Sequence, residues 1–310
     1  MNLRDLRYIV SVAELGHFGK AALACHVSQP TLSGQILKLE EELGVAIFER
    51  VGKSIRTTAV GEQIIAHARR CLAAASDISA SAKAHQDPLA GSLRIGVIPT
   101  LAPYLMPYVL PFMAETLPAA PLQLVEDLTG NLVPLLLDGE LDGAIIATPK
   151  LSEKLVEELI FDEPFWLVMP KDHPLSAHKI IQPSALDPAH LLLLAEGHCL
   201  RDQSIDLCGA RDHHHMHHTD VRATSLETLL HLTAAGYGLT LVPQLAVESW
   251  SALTTQLVAR PLAGGQAGRQ VRLVYRRDMP RTKALQVLAA LMRAHLPTSL
   301  NVLAASDSAQ

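Results

Sequence analysis

The sequence predicts an α/β protein with a small helical head at its N-terminus, and three observations lead there. Apolar residues recur at helical spacing up to Leu43 and give way to a short hairpin pattern. A polar stretch bearing Pro and Gly, HQDPLAGS at 85–92, then interrupts the chain. Beyond it, short aliphatic and β-branched runs alternate with helical patterns, the texture of α/β domains.

Length and composition set the frame for the elements. A chain of 310 residues exceeds one ordinary domain and predicts two or three. No apolar run approaches the ~18 residues that span a bilayer, and MNLRDLRYIV lacks the apolar core of a secretory signal. The expectation is a cytosolic protein, where thiols stay reduced and four cysteines are not a stabilising framework. The net charge of -5 conceals an asymmetry, because residues 1–86 hold 10 Lys and Arg against 8 Asp and Glu. A bias that mild supports nucleic-acid binding only weakly, so residue placement must carry the case.

The first two helices are short: Leu6, Ile9, Val10 and Ala13 form one stripe, Phe18, Ala21, Ala22 and Ala24 another, with Gly16-His17 between them. In HVSQPTLSGQILKLEEELG, Ser28 caps a third helix and Pro30 lies in its first turn. Leu32, Ile36, Leu39 and Leu43 form its buried side. Its outward face carries Gln29, Thr31, Ser33, Gln35 and Lys38. Amides and hydroxyls read base edges and a lysine meets phosphate, so this face suits a major groove; the bland alternative is a capped surface helix. VAIFERVGKSIRTT reads as a hairpin turning at Gly52-Lys53, with Arg50, Lys53 and Arg56 near its tip. Such a basic wing clamps the DNA backbone beside a reading helix, and the head is expected over 1–58.

From Thr58 a long helical pattern runs to about Ala84, with Val60, Ile64, Ala68, Cys71, Ala75, Ile78 and Ala82 on one side. One helix cannot bury such a seam alone, so residues 59–90 are expected to dimerise and to link the head to the remainder. Cys71 and Cys25 fall among apolar positions and read as small core residues. Over 91–310 the strands are LRIGVIP, LQLVEDL, GAIIA, FWLVMP, LLLLAE, LTLVP and VRLVYR, expected in largely parallel sheets. They are too many for one sheet. Two α/β subdomains with a cleft between them follow, the first about 91–163 with 266–300 and the second about 164–265. The chain crosses near Phe161-Asp162-Glu163 and returns near Gly264-Gly265.

GHCLRDQSIDLC, residues 197–208, holds two of the four cysteines nine positions apart. On the residues alone these thiols are filler, metal ligands or a switch. The histidines at 213–215 and 217–218 make metal binding a rival, yet their spacing fits no tight tetrahedral motif and no metal is assigned.

The head sequence HFGKAALACHVSQPTLSGQILKLEEELGVAIFER resembles the winged helix-turn-helix of LysR-type transcriptional regulators. GVIPTLAPYLMP, FDEPFWLVMPKDHP, EGHCLRDQ, SLETLLHLTAAGYGLTLVP and RQVRLVYR extend the resemblance over the whole chain. They are similar to the hydrogen-peroxide-sensing OxyR branch in particular. The resemblance implies a regulatory part resembling a periplasmic-binding-protein fold, in a cytoplasmic, nucleoid-associated activator of oxidative-stress genes. It implies no cofactor. The implied partners are promoter DNA, contacted through Ser28, Gln29, Pro30, Thr31, Ser33, Gln35, Lys38, Arg50, Lys53 and Arg56, RNA polymerase, and further copies in a homodimer and homotetramer. Glutaredoxin or thioredoxin is the implied reductant. Carried onto this sequence, Cys199 is the residue that peroxide attacks and Cys208 the resolving thiol. Thr100 and Thr129 hold peroxide, with His198, Arg201 and Arg269 as polar and cationic neighbours. The His-rich segment departs from the family pattern, since the stretch from Cys208 to Arg222 is longer than usual.

The chemistry of the stretch agrees with that assignment. A helix opening after Gly197-His198 places Cys199 where backbone N–H groups favour a thiolate. Nine helical residues span about 13.5 Å, whereas disulfide-linked Cα atoms lie about 4.4–6.8 Å apart, so forming the bond must unfold a helical segment. Thr100 and Thr129 have helix capping as their ordinary alternative. A regulator answering a small organic effector in the cleft explains everything but the cysteine pair, and a thiol peroxidase explains only the cysteines.

Overall fold

The computed structural model describes residues 1–51, 54–149, 152–209, 223–249, 255–264 and 267–303. The histidines at 213–218 and Lys53 lie outside the described residues. Contacts divide the chain into two units, Met1–Gln86 with Leu137–Glu140, and Asp87–Leu136 with Leu141–Gln310.

The first unit holds α1 (Leu3–Leu15), α2 (Phe18–Ala24), α3 (Gln29–Leu43), the antiparallel hairpin β1 (Phe48–Val51) and β2 (Ser54–Thr57), and α4 (Ala59–Gln86). Each short helix starts on a side-chain cap. Asn2 and Asp5 form a capping box on α1, His17 Nδ1 accepts from Gly19 N at 2.9 Å, and Ser28 Oγ accepts from Thr31 N at 3.3 Å. The caps turn Leu6, Ile9, Val12, Ala21, Ala22, Leu32, Ile36 and Leu39 into one core. Leu43, expected in the buried stripe, is exposed at the end of α3. The hairpin starts at Phe48 rather than Val45, because Glu40 Oε1 takes the N–H groups of Ile47 and Phe48 at 2.7 and 3.0 Å. Thr58 caps α4 as expected, its Oγ1 accepting from Gly61 N at 2.9 Å.

α4 is buried along its first half and exposed farther on. Ile65 and Ala68 join the head core against α1, while Ile78 is 73% exposed. Cys71 is therefore exposed rather than a core residue, since the helix turns a neighbouring face toward α1. Cys25 is half-buried, its thiol 3.3 Å from Ser11 Oγ.

The second unit contains β3 (Leu93–Val97), α5 (Ala102–Thr116), β4 (Leu122–Glu126), α6 (Thr129–Leu137), β5 (Gly143–Ile146), β6 (Leu155–Pro170), α7 (Cys199–Leu207), α8 (Leu226–Ala234), β7 (Thr240–Pro243), α9 (Gln244–Glu248), β8 (Leu257–Pro261), β9 (Gly268–Arg276), α10 (Thr282–His295) and β10 (Asn301–Val302). The strand order is β10-β6-β9-β5-β3-β4, with β7 and β8 also pairing β6. β6 thus runs through both subdomains: Leu155–Pro164 pair with β9, and Phe165–Pro170 with β7 and β8. The crossing expected at Phe161–Glu163 lies inside this continuous strand, just past a register shift between Leu159 and Phe161.

Two expectations are corrected. Among the strand ladders of the described residues only β3·β4 and β3·β5 are parallel, whereas β6 pairs antiparallel with β7, β8, β9 and β10, and β5 with β9. A chain that crosses between subdomains and returns beside its own path makes antiparallel pairs there. LLLLAE is not a ladder strand, because Leu191 bridges Leu239 while Leu194 bridges Ala223, one residue pair with each partner. Among the described residues no helix is long and apolar enough to cross a membrane.

Candidate functional site

β4, β3 and β5 run in one direction, so the segments after them leave the same edge of the sheet, where α/β proteins build sites. Those segments carry Thr100, Thr129 and Thr148. From the second subdomain the turn Gly197-His198 approaches this edge. Gly197 has φ +93°, a backbone conformation that favours glycine, and Leu128 Cδ1 packs where a Cβ would stand, so glycine sets the turn into α7 against Leu128.

Cys199 is the first residue of α7, and Cys208 follows its last; both are free and half-buried. Burial is the largest influence on the Cys199 thiol and raises its pKa above the ordinary value. Arg269, the Thr148 hydroxyl and the N–H groups of Leu200 and Cys199 oppose that rise, in that order. The expectation of a helix N-terminus and an arginine favouring the thiolate holds in sign, but desolvation outweighs both in the resting state. Burial likewise raises the Cys208 thiol. Cys208 and Leu207 pack against the cluster Leu167, Met169, Ile181, Leu186, Leu191, Leu239 and Leu241.

Arg269 is buried on β9 and donates through Nε to Glu163 Oε2 at 2.8 Å, through one terminal nitrogen to Thr100 Oγ1 at 2.8 Å, and through the other to Thr100 O at 3.0 Å. The Thr100 hydroxyl accepts from a cation, so its own proton is left to donate. It caps no helix: α5 begins after Leu101 without a side-chain cap. At Thr129 the end of the helix is served by Asp127, whose Oδ1 accepts from Leu128 N at 2.7 Å and Asn131 Nδ2 at 2.8 Å. Thr129 Oγ1 is buried with no hydrogen-bond partner in the protein.

His198 is buried at the N-cap of α7, and burial lowers its pKa, which keeps the ring neutral at neutral pH. Arg201 turns to the backbone, donating to Leu194 O at 3.1 Å, so Arg269 is the cation the thiol feels. Thr148, Glu163 and Gln203 were not singled out from the sequence. Gln203, one turn beyond Cys199, donates to Ala147 O at 3.0 Å. The signals existed: Thr148 follows its strand as Thr100 follows LRIGVIP, and Glu163 lies at the expected crossing.

In the first unit, Ser28, Gln29, Pro30, Thr31 and Lys38 are exposed, and Ser33 and Gln35 half-buried, along one side of α3. The Thr31 hydroxyl lies 2.8 Å from Ser28 Oγ and thus shares in the cap. Arg56 is exposed opposite Glu49 in the hairpin, and Arg50 pairs through its backbone with Ile55.

Residues 3–62 match the family described as bacterial regulatory helix-turn-helix protein, lysR family, and residues 86–297 match the LysR substrate binding domain. The hydrogen peroxide-inducible genes activator of Dickeya chrysanthemi is 40% identical over 99% of this chain and 100% of that one. The chain belongs to the LysR family, in its OxyR branch. A full-length OxyR variant from Pseudomonas aeruginosa superposes with TM-score 0.78 at 42% identity, covering 94% of this chain and 95% of that one. A hydrogen-peroxide-bound OxyR mutant from Corynebacterium glutamicum gives TM-score 0.65 at 36% identity, covering 95% and 92%. The OxyR-branch likeness thus spans the head, the long helix and the sensing unit together.

Proposed function

We propose that this chain is a peroxide-sensing transcriptional activator, switched by a reversible disulfide between Cys199 and Cys208. The observation that carries the reading is their placement at the two ends of one intact helix, with Arg269 and Thr148 acting on the thiol at the attacking end and Thr100 bonded to Arg269. The Cys199 thiolate attacks one peroxide oxygen, the O–O bond breaks, and the leaving hydroxide takes a proton to become water. Cys199 is then a sulfenic acid. The Cys208 sulfur attacks it, a second water leaves, and a disulfide forms; two thiols have supplied two electrons to one peroxide. Thr100 and Thr129 orient the peroxide, and Arg269 stabilises the charge on the attacking sulfur. His198 and Arg201 shape the turn that presents it.

α7 cannot survive the bond. About 13.5 Å of helix must contract to a Cα separation of about 4.4–6.8 Å, which draws Cys208 and Leu207 away from their cluster. The unwinding is the signal. Residues 1–58 bind promoter DNA, 59–90 pair and link copies, and 91–310 sense, in a homodimer assembling to a homotetramer that engages RNA polymerase. The protein is cytoplasmic and nucleoid-associated, needs no cofactor, and is no enzyme: each chain consumes one peroxide until glutaredoxin or thioredoxin reduces it.

A second reading has one specific support, a groove of about 710 Å³ lined by Phe165, Pro183, Gln203, Asp206, Leu207 and Gly268. An organic effector binding there without thiol oxidation would favour it. The decisive experiment is thiol mapping after a peroxide pulse. Wild type should link Cys199 to Cys208 and leave Cys25 and Cys71 free. Cys208→Ser should yield a trappable sulfenate at Cys199, and Cys199→Ser should stay reduced and DNA-bound. Sulfenate on Cys208 in the Cys199→Ser protein at low peroxide would overturn the roles.

A further inference from the structure

We propose that Glu163 is a positioning residue for the sensing reaction: its carboxylate, buried opposite Arg269 across β6 and β9, aims the guanidinium at Thr100 and the Cys199 thiol. The inference rests on the reading of Cys199 as the residue that peroxide attacks.

Glu163 and Arg269 are direct partners in the β6·β9 register, and both side chains are 0% exposed. The two carboxylate oxygens serve different donors. Oε2 accepts Arg269 Nε at 2.8 Å, and Oε1 accepts the N–H of Leu245 in the first turn of α9 at 3.0 Å. α9 has no side-chain cap of its own, so Glu163 satisfies one of its open N–H groups from a distance. A guanidinium is a rigid planar fork, so fixing Nε fixes where the terminal nitrogens point. They point at Thr100, one to its hydroxyl and one to its carbonyl.

The close approach of the two strands has its own cause. A Cβ on Gly268 would stand 2.5 Å from Glu163 O, so glycine is needed for Arg269 to enter beside Glu163. A buried ion pair is a poor source of stability compared with apolar packing, and its use here is directional. Without the carboxylate, Arg269 would hold a buried charge with only Thr100 to meet it and would be free to turn away.

The titratable groups around the guanidinium and the thiol are Glu163 on β6, Tyr104 on α5 with its partner Glu227 on α8, and His198 and Cys199 at the start of α7. Tyr104 is held far above its ordinary range by burial and Glu227, and burial holds His198 below its own. Neither changes charge while the Cys199 thiol titrates.

Glu163→Gln keeps the shape and removes the charge, and its amide offers one acceptor and one donor where the site presents two donors. In a protein whose other three cysteines are serine, the pH midpoint of Cys199 alkylation by iodoacetamide should rise by about one unit. In the otherwise wild-type protein, peroxide oxidation at pH 7 should slow about tenfold. Arg269→Met should raise the midpoint by itself, and adding Glu163→Gln should then shift it no further. An unchanged midpoint, a lower midpoint with faster oxidation, or a further shift in the Met background would each overturn the proposal. Should Glu163→Gln not fold, Glu163→Asp decides: its carboxylate is withdrawn by one methylene, a smaller rise is expected, and no rise overturns the proposal. Alkylation needs no peroxide. A wild type that alkylates at Cys199 but resists peroxide would count against the sensing reading, while the midpoints would still judge Glu163.

Discussion

Valine at position 129 should make the protein more stable and a poorer sensor at once. The Thr129 hydroxyl is buried without a partner, and an unsatisfied buried polar group costs about 1–3 kcal/mol. Thr129→Val keeps the branched shape and removes that group, so a gain near the lower end, about 1 kcal/mol, is expected. In a unit of this size that raises Tm by about 2–4 °C. If the hydroxyl donates to peroxide, the reaction loses a hydrogen bond worth about 0.5–1.5 kcal/mol, a slowing of roughly 2- to 12-fold. Thr100→Val is the natural contrast. Its hydroxyl accepts from buried Arg269, so its loss leaves a charged donor short of a partner. It should cost about 2 kcal/mol and lower Tm by about 4–8 °C, and it too should slow oxidation. The assay pairs thermal melting of the reduced protein with stopped-flow peroxide oxidation. The decisive sign is the opposite direction of the two Tm changes. A Thr129→Val protein with a lower Tm and an unchanged rate would return Thr129 to a structural role and refute the reasoning.

The DNA-binding head gives a second expectation: Arg56→Ala or Arg50→Ala should weaken binding to all sequences and reduce the salt slope by about 0.9 per lost phosphate contact. Gln29→Ala should instead relax preference at one base pair by about 1–3 kcal/mol with the salt slope unchanged, as titrations at several salt concentrations would show. His198 supplies a pH dependence. Burial lowers its pKa below the ordinary 6.5, so the unfolded chain binds the proton more tightly. Its contribution is intact above pH 6.5 and falls as pH drops through the lowered folded value. Urea unfolding between pH 5 and 7 should show that loss, His198→Gln should flatten it, and an unflattened profile would place the acid sensitivity elsewhere.

Periodicity sufficed for the helices of the head, because caps such as Ser28 and stripes such as Leu32, Ile36 and Leu39 are local signals. Strand existence was legible for LRIGVIP, GAIIA and LTLVP, but strand direction was not. Nothing local in FDEPFWLVMP or VRLVYR says that β6 and β9 run past each other as a return path. LLLLAE failed for the converse reason: an apolar run announces burial, while a ladder needs one partner along its length. At the site, Cys199, Cys208, Thr100, Thr129 and Arg269 came from the family resemblance, and the structure brings four of them to one edge. Glu163 was legible only as a crossing point, since its role depends on Arg269, 106 positions away in the chain. Arg201 shows the limit of proximity in sequence, being two residues from Cys199 yet bonded to Leu194 O.

β6 also dictates the order in which the molecule can be made. Leu155 at its start pairs with Arg276, and Phe165 in its second half with Pro243, so neither subdomain closes until the chain is nearly complete. At synthesis rates of about 5–20 residues per second, the roughly 120 residues from Leu155 to Arg276 leave the strand waiting about 6–24 seconds. It waits with its apolar second half, FWLVMP, and its strand edges unpaired, which invites association. The head has no such delay, because among the described residues its core draws on positions from Leu6 to Leu72. The head can therefore fold while the sensing unit is still being made. Slow translation before Gly268 would lengthen that interval, and a chaperone that covers β6 would shorten its exposure.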